Sequence, residues 1–479
     1  MTTIHSKVKL RAASSGNAAR NAILGAVIMT LANMLTTSAK ADDAPAARRP
    51  ARRIVLCLDG TWNGTFDETK RRDGESVLKP TNTLKLCRAV VPFDSNGVEQ
   101  IAYYDTGVGS LSVYPGTANK LLYHSDRILG GAFGAGFEAN VEDALHFLTM
   151  NYEEGDAVFV FGFSRGAGTA RAVTRFLEWN HGLPKKRDAY YLPILFREYL
   201  RVQGAEKDHE YENTIAKINS DRVKENPRSK PLGAFVPVAV RYLGVWDTVM
   251  ALGSRLRSRG VATSAKNRAF FAGDAPASCV THARQALAID EARFDFRPEI
   301  WTRKLEKQRL EQRWFAGVHS NVGGGYLNDG LANISFRWIL NGAEEEGLET
   351  DPGYLKFYRP FFRDSLYESS TPFYKVLDLA RSTLGRGRRH LAGYLADIDP
   401  GVIQRMQADP KDLLDKNDQP ARVPYRPQNV MQFLACVPSL DTFLRSIEDP
   451  EHPLKPLPAD VLRRIDELRQ ECKATETPG

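Results

Sequence analysis

From residue 53 onward, short runs of β-branched and aromatic residues alternate with longer amphipathic stretches. Arg53–Leu58 (RIVLCL) is a compact apolar run that ends in the polar DGTWNGT, which predicts a buried strand feeding a loop. A helical stretch over Asn82–Val91 and a strand over Val98–Gly107 follow. A glycine-rich connection, Leu129–Phe137, then leads to a helix over Glu138–Gly155. Asp156–Gly162 reads as the next strand, Ala167–Trp179 as a helix and Val236–Val249 as another strand. Periodicity leaves His282–Phe294 open between strand and helix. Gln312–Tyr326 carries a short strand that runs into a glycine-rich loop, and the stretch ANISFRWILNGAEEEG after it has helical spacing. Beyond about residue 350 the pattern loosens, until a charged helix near Ala459–Cys472.

Buried strands alternating with helices predict an α/β fold of the α/β-hydrolase type, a mostly parallel central sheet with helices on both faces. In such sheets chemistry gathers at the carboxyl ends of the strands. The expected organisation is a catalytic domain over residues 53–349 and a helical or irregular C-terminal extension over 350–479 that packs on the core or covers the site. Residues 184–231 and 350–420 are the stretches long enough to form a lid.

The first 41 residues differ in kind. Lys7, Lys9, Arg11 and Arg20 precede the apolar run Ala22–Leu35, and Ala39 and Ala41 form an A-x-A pattern before Asp42. This is the layout of a secretory signal peptide cleaved after Ala41, with residues 42–52 as a linker, and it implies an exported, periplasmic or secreted protein. The run is short for a bilayer span, and an uncleaved anchoring helix is the alternative. Those 41 residues hold five basic and no acidic side chains, so the net charge of +7 falls to +2 without them. A nucleic-acid partner is therefore not expected. The local basic run RGRRH (Arg386–His390) reads as a solvated face. Five cysteines without C-x-x-C or Cys/His metal spacing argue against a disulfide framework and a metal site, leave room for one bridge, and put Cys57 in a buried strand as an inert thiol.

Gly162-Phe163-Ser164-Arg165-Gly166 is G-x-S-x-G, a weak signal alone and a stronger one between a strand and a helix. A nucleophile elbow needs that setting, because a sharp turn lifts the serine above the sheet while the flanking glycines let the backbone pass. An ordinary turn serine or helix N-cap is the competing reading. A serine hydroxyl needs a base to take its proton. His319, between WFAGV and NVGGG at a later strand end, suits that role better than the other histidines. The acid that orients such a base is expected at the same edge. Asp247, closing the strand RYLGVW, is favoured, and Asp290 in LAIDE is the competitor. The order serine, aspartate, histidine is that of α/β-hydrolases. For an oxyanion hole, Arg165 supplies the amide after the nucleophile, and Gly60 or Thr61 in the DGTWN loop supplies the second; a plain polar turn held by Asp59 is the alternative for that loop.

Five segments in order, CLDGTWN, YYDTGVG, GFSRGAGTAR, GVWDTV and GVHSNVGGGY, resemble the α/β-hydrolase family typified by the type VI secretion phospholipase effectors. The likeness covers about residues 53–340, and YRPQNV (Tyr425–Val430) is similar to a later family segment. The resemblance implies Ser164 as nucleophile, Asp247 as acid and His319 as base, acting on phospholipid acyl esters without a metal or organic cofactor. The expected partner is a lipid or other ester substrate, with peripheral membrane contact. An esterase or thioesterase for small soluble substrates, or a non-catalytic binding protein on the same scaffold, are the alternatives.

Overall fold

The computed structural model describes residues 51–60, 68–70, 76–107, 132–201, 207–227, 231–232, 235–249, 273–293, 296–368, 389–391, 396–448 and 453–475. The expected leader, most of the linker and Thr61 lie outside the described residues. In chain order the strands are β1 (Arg53–Leu58), β2 (Glu68–Lys70), β3 (Ser76–Leu78), β4 (Gln100–Asp105), β5 (Ala157–Phe163), β6 (Val240–Trp246), β7 (Val280–Ala288), β8 (Arg309–Phe315) and β9 (Asp397–Ile398). The helices are α1 (Asn82–Ala89), α2 (Ala132–Asn151), α3 (Arg165–Trp179), α4 (Leu192–Arg201), α5 (Lys207–Glu225), α6 (His319–Gly323), α7 (Gly330–Glu345), α8 (Pro352–Leu355), α9 (Pro400–Gln407), α10 (Gln428–Cys436), α11 (Leu440–Ile447) and α12 (Ala459–Thr475).

Seven strands form one sheet in the order β4-β1-β5-β6-β7-β8-β9, while β2 and β3 pair apart from it. All six pairings in the large sheet are parallel. In the central strands β1, β5, β6 and β7 successive side chains point to opposite faces and nearly all are buried. Ile54, Leu56, Val158, Val160 and Leu243 face one cluster with helices α2, α3 and α4, whereas Val55, Phe159, Phe161 and Tyr242 face another with α1 and α7. Residues 192–201, within one of the stretches considered for a lid, instead bury Leu192, Leu195, Phe196 and Tyr199 in the core.

His282–Phe294, which periodicity left open, is a strand over Val280–Ala288, buried on both faces apart from Thr281. The glycine-rich connection at Leu129–Phe137 is helical from Ala132, so glycine content marked a loop where α2 in fact begins. The C-terminal extension belongs to the same compact unit as the sheet. It adds β9 beside β8, and a third apolar cluster joins Leu287, Trp314 and Ile398 to α9, α10 and α12 through Ile403, Leu434 and Ile465. Cys57, Cys87 and Cys279 are free thiols, and burial raises Cys57 well above the usual thiol range. Cys436 is disulfide-bonded.

Candidate functional site

Ser164 stands where β5 turns into α3, with φ 59° and ψ −122°. Such a backbone is costly for a residue with a side chain and persists only where its surroundings hold it. Backbone hydrogen bonds hold it here: the Ser164 amide donates to the Trp246 carbonyl at 3.0 Å, and its carbonyl accepts from the Val249 and Gly168 amides, both at 3.3 Å. The flanking glycines are required by close approach. A Cβ on Gly162 would lie 2.7 Å from the Cα of Ala167, and one on Gly166 would collide with the Leu58 and Asp59 carbonyls of the neighbouring strand end. Ser164 occupies the N-cap position of α3, but its side chain makes no capping hydrogen bond to the helix.

Asp247 leaves β6 beside that turn, at φ 41° and wholly buried. Its amide donates to the Ala286 carbonyl at 2.7 Å, and its Oδ1 accepts from the Ala288 amide at 3.0 Å. His319 begins α6 after the tight turn at Gly317, and its Nδ1 lies 2.6 Å from Asp247 Oδ2. With the proton on Nδ1 donated to the carboxylate, Nε2 carries the free lone pair. That Nε2 is buried and has no hydrogen-bond partner among the described residues. The imidazole is packed by Phe163, the residue before Ser164, at 4.6 Å between ring centroids, and by Phe296 at 4.9 Å. None of the three residues lines the cavity of about 380 Å³ that lies between α4 and α5.

Charge in this cluster is set by burial and by the ionised groups around it. Burial lowers the His319 pKa, and the hydrogen bond and charge of Asp247 oppose that without reversing it. Burial alone would raise Asp247, but the Arg389 guanidinium and the His319 hydrogen bond outweigh it and hold the carboxyl below its usual range. Arg389 reaches Asp247 with both terminal nitrogens, Nη1 to Oδ1 at 2.5 Å and Nη2 to Oδ2 at 2.9 Å.

The structure brings Asp247, not Asp290, against His319. Asp290 is tied elsewhere: its Oδ2 accepts from the Gly317 amide at 2.7 Å and from the Tyr425 hydroxyl at 2.8 Å. It thereby fixes the turn that launches α6. Arg165 is the first residue of α3. The Gly60 amide donates to Asp59 Oδ1 at 2.7 Å, and the other oxygen of that carboxylate accepts from Thr81 and Tyr104. Asp59 thus organises the loop after β1.

Four contributors were not anticipated from the pattern of the chain. Arg389, read within a solvated basic run, is 7% exposed and bound to Asp247, because a guanidinium can be buried when a carboxylate pairs with it. Asn429 donates to the Arg389 and Ile289 carbonyls, both at 3.1 Å. Lys85, buried on α1, pairs with Asp329 at 2.8 Å, and Asn82 donates to the Val322 carbonyl at 2.8 Å, fastening the His319 segment to α1. Only the YRPQNV segment, which contains Asn429, offered a signal.

A parallel sheet carrying a serine on a strained strand-to-helix turn, with a carboxylate–imidazole pair from the ends of β6 and β8 on the same edge, is built as the α/β-hydrolases are built. The chain belongs to the family described as T6SS, Phospholipase effector Tle1-like, catalytic domain, whose model matches residues 52–342. An uncharacterized protein, YEL023C of Saccharomyces cerevisiae, is 27% identical over 256 residues, 52% of this chain and 33% of the yeast protein. The chain therefore spans about a third of that relative's length. Among solved structures, an uncharacterized protein from Pseudomonas aeruginosa matches 88% of this chain and 62% of its own at 15% identity, with a TM-score of 0.36. The Tle1 effector bound to the VgrG spike of the type 6 secretion system matches 72% of this chain and 82% of its own at 16% identity, with a TM-score of 0.34.

Proposed function

We propose that the protein is a serine ester hydrolase acting on the acyl esters of lipids or phospholipids, with Ser164 as nucleophile, His319 as base and Asp247 as the acid that orients it. The observation that carries this reading is the buried His319–Asp247 pair, 2.6 Å apart, whose remaining nitrogen Nε2 has no partner among the described residues. Membership of a phospholipase effector catalytic-domain family supports the lipid class of substrate. Ser164 Oγ would attack the acyl carbonyl carbon as its proton passes to His319 Nε2, and Asp247 would stabilise the imidazolium. The oxyanion would rest on the Arg165 amide and on a second donor from the loop after β1, where the Gly60 amide is already given to Asp59 Oδ1 and Thr61 is the remaining candidate. His319 would then protonate the leaving alcohol as the C–O bond breaks, and water, giving its proton to the same nitrogen, would release the fatty acid and restore Ser164.

Purified wild-type protein and Ser164→Ala, incubated with mixed phospholipid vesicles, test the reading by mass analysis of the products. Fatty acid and lysolipid are expected from wild type and at least ~10³-fold less from the variant. Full turnover by the variant ends the proposal. A preference for short soluble nitrophenyl esters, with no rate rise at a lipid surface, would move the substrate class to small esters. The basic-then-apolar leader supports export with cleavage after Ala41, which N-terminal sequencing of secreted or periplasmic protein would reveal as a chain starting at Asp42.

A further inference from the structure

The carboxylate proposed as the triad acid is held by residues that lie beyond the 52–342 span matched by the family model. Asp247 is wholly buried, and its two oxygens face different partners: Oδ2 meets His319 and Arg389 Nη2, while Oδ1 meets the Ala288 amide and Arg389 Nη1. The guanidinium is fixed in turn. Nη1 also donates to the Ala288 carbonyl at 2.8 Å and Nη2 to the Phe296 carbonyl at 2.5 Å. Its backbone is held by Asn429, 6% exposed near the start of α10. A planar fork matches both oxygens of a carboxylate at once, which a lysine ammonium cannot do. An apolar side chain would fill the same volume without the cost of burying a guanidinium, so packing alone does not account for an arginine here.

We propose that Arg389 is a positioning residue for the triad, its fork locking the Asp247 carboxylate against His319, and that Asn429 holds the fork in place. The inference rests on the triad reading above, and it makes the C-terminal extension part of the catalytic machinery. The ionisable groups that bear on His319 are Asp247 from the end of β6 and Glu291 and Arg293 from the exit of β7. Glu291 and Arg293 pair with each other at 2.9 Å and largely cancel. Arg389 acts through Asp247. By sharing the carboxylate's charge it weakens the stabilisation of the imidazolium, which keeps His319 neutral and able to accept a proton.

The test uses the full-length chain and a soluble ester, with kcat, KM and the pH dependence of kcat/KM measured for wild type, Arg389→Met, Arg389→Lys and Asn429→Ala, and folding followed by circular dichroism. Arg389→Met is expected to lower kcat about 10²-fold with little change in KM, as loss of alignment does. Its acidic limb should also move up by about one pH unit, because an unshared Asp247 charge favours protonated His319. Arg389→Lys should leave the limb within a few tenths of a unit and lower kcat about tenfold, since the charge stays and the fork is lost. Asn429→Ala should lower kcat with the limb unmoved. A folded Arg389→Met with wild-type kcat and limb overturns the proposal. Should Arg389→Met fail to fold, Arg389→Lys decides: wild-type kcat in that variant overturns the proposal, and the expected tenfold loss supports it. Ser164→Ala is measured alongside, because activity surviving there sinks the triad reading itself, whereas an inactive Ser164→Ala beside a wild-type-like Arg389→Met sinks only the role of Arg389.

Discussion

Replacing Gly166 by alanine adds one carbon at the tightest point of the elbow. Built on the existing backbone, that Cβ would sit 2.6 Å from the carbonyl carbon of Asp59 and closer still to the Leu58 and Asp59 oxygens. These nearest obstacles are backbone of β1 or its exit, so no side chain can rotate away from them. Ordinary non-bonded carbon contacts need about 3.5 Å, so the start of α3 must retreat from β1 by roughly 1 Å. Overpacking of this kind costs about 1–3 kcal/mol, and the upper end fits a contact with two strand ends. The displaced segment carries Ser164 and the Arg165 amide, and a 1 Å error in a reacting group costs about 10²-fold in rate. The rate of labelling by a fluorophosphonate and the thermal melting curve together measure both effects. Gly97→Ala is the control: Gly97 also has positive φ, at 77°, but a Cβ there meets nothing within 4 Å, so it should lose a little stability and no labelling rate. Labelling of Gly166→Ala within twofold of wild type, with an unchanged melt, would show that the close approach of α3 to β1 is not what shapes the elbow.

Two further outcomes follow from the charge arrangement. Asp247→Asn should reduce kcat by about 10⁴-fold, the loss expected when a triad imidazole is no longer held in its tautomer. Asp290→Asn should stay within about tenfold of wild type while lowering the melting temperature, since Asp290 holds the Gly317 turn and Tyr425 instead of the imidazole; the opposite ranking in a steady-state ester assay would exchange their roles. Because burial lowers His319, the base stays neutral to a more acidic pH than an ordinary histidine. Activity should therefore fall only as pH drops through a limb below about 6.5, where the imidazolium forms. A limb above 7 in a kcat/KM profile would contradict that environment.

The centre of the sheet was legible because strands such as β1, β5 and β6 are buried on both faces, and such strands write themselves as short unbroken apolar runs. Arg53–Leu58 is one, and the strand occupies those residues and no others. β7 was harder for a physical reason. Its polar members His282, Arg284 and Gln285 are buried only because partners on neighbouring elements satisfy them, His282 by Glu311 and Glu346 and Gln285 by Gln312. A polar residue in a strand whose partner lies 27 or more positions away looks locally like a break in the pattern. The placing of Ser164, Asp247 and His319 at one edge was likewise legible, since each follows an apolar run and parallel strands share a carboxyl end.

What holds that edge together was not legible, and the reason is the same for each contributor. Arg389 lies 142 residues from the carboxylate it grips, and Lys85 lies 248 residues from the Asn333 that helps bury it. Neither contact leaves a period or a spacing, because a buried ion pair depends on a meeting in space that only the folded topology supplies. A basic run therefore reads as solvated face until one member proves to have a carboxylate waiting beneath it. The same reasoning separates two kinds of dependence in this molecule. Strands β1 to β8 and the elbow are specified within residues 53–342, but the carboxylate at the bottom of the site is neutralised from the far end of the chain, beside a helix whose apolar side packs on β8 and β9. A chain cut at residue 342 would lose Arg389 and Asn429 together with β9 and the helices that bury Leu287 and Trp314. Asp247 would then lack its guanidinium partner, and a carboxylate so deprived gains a proton or draws in water, either of which loosens its contact with the His319 imidazole.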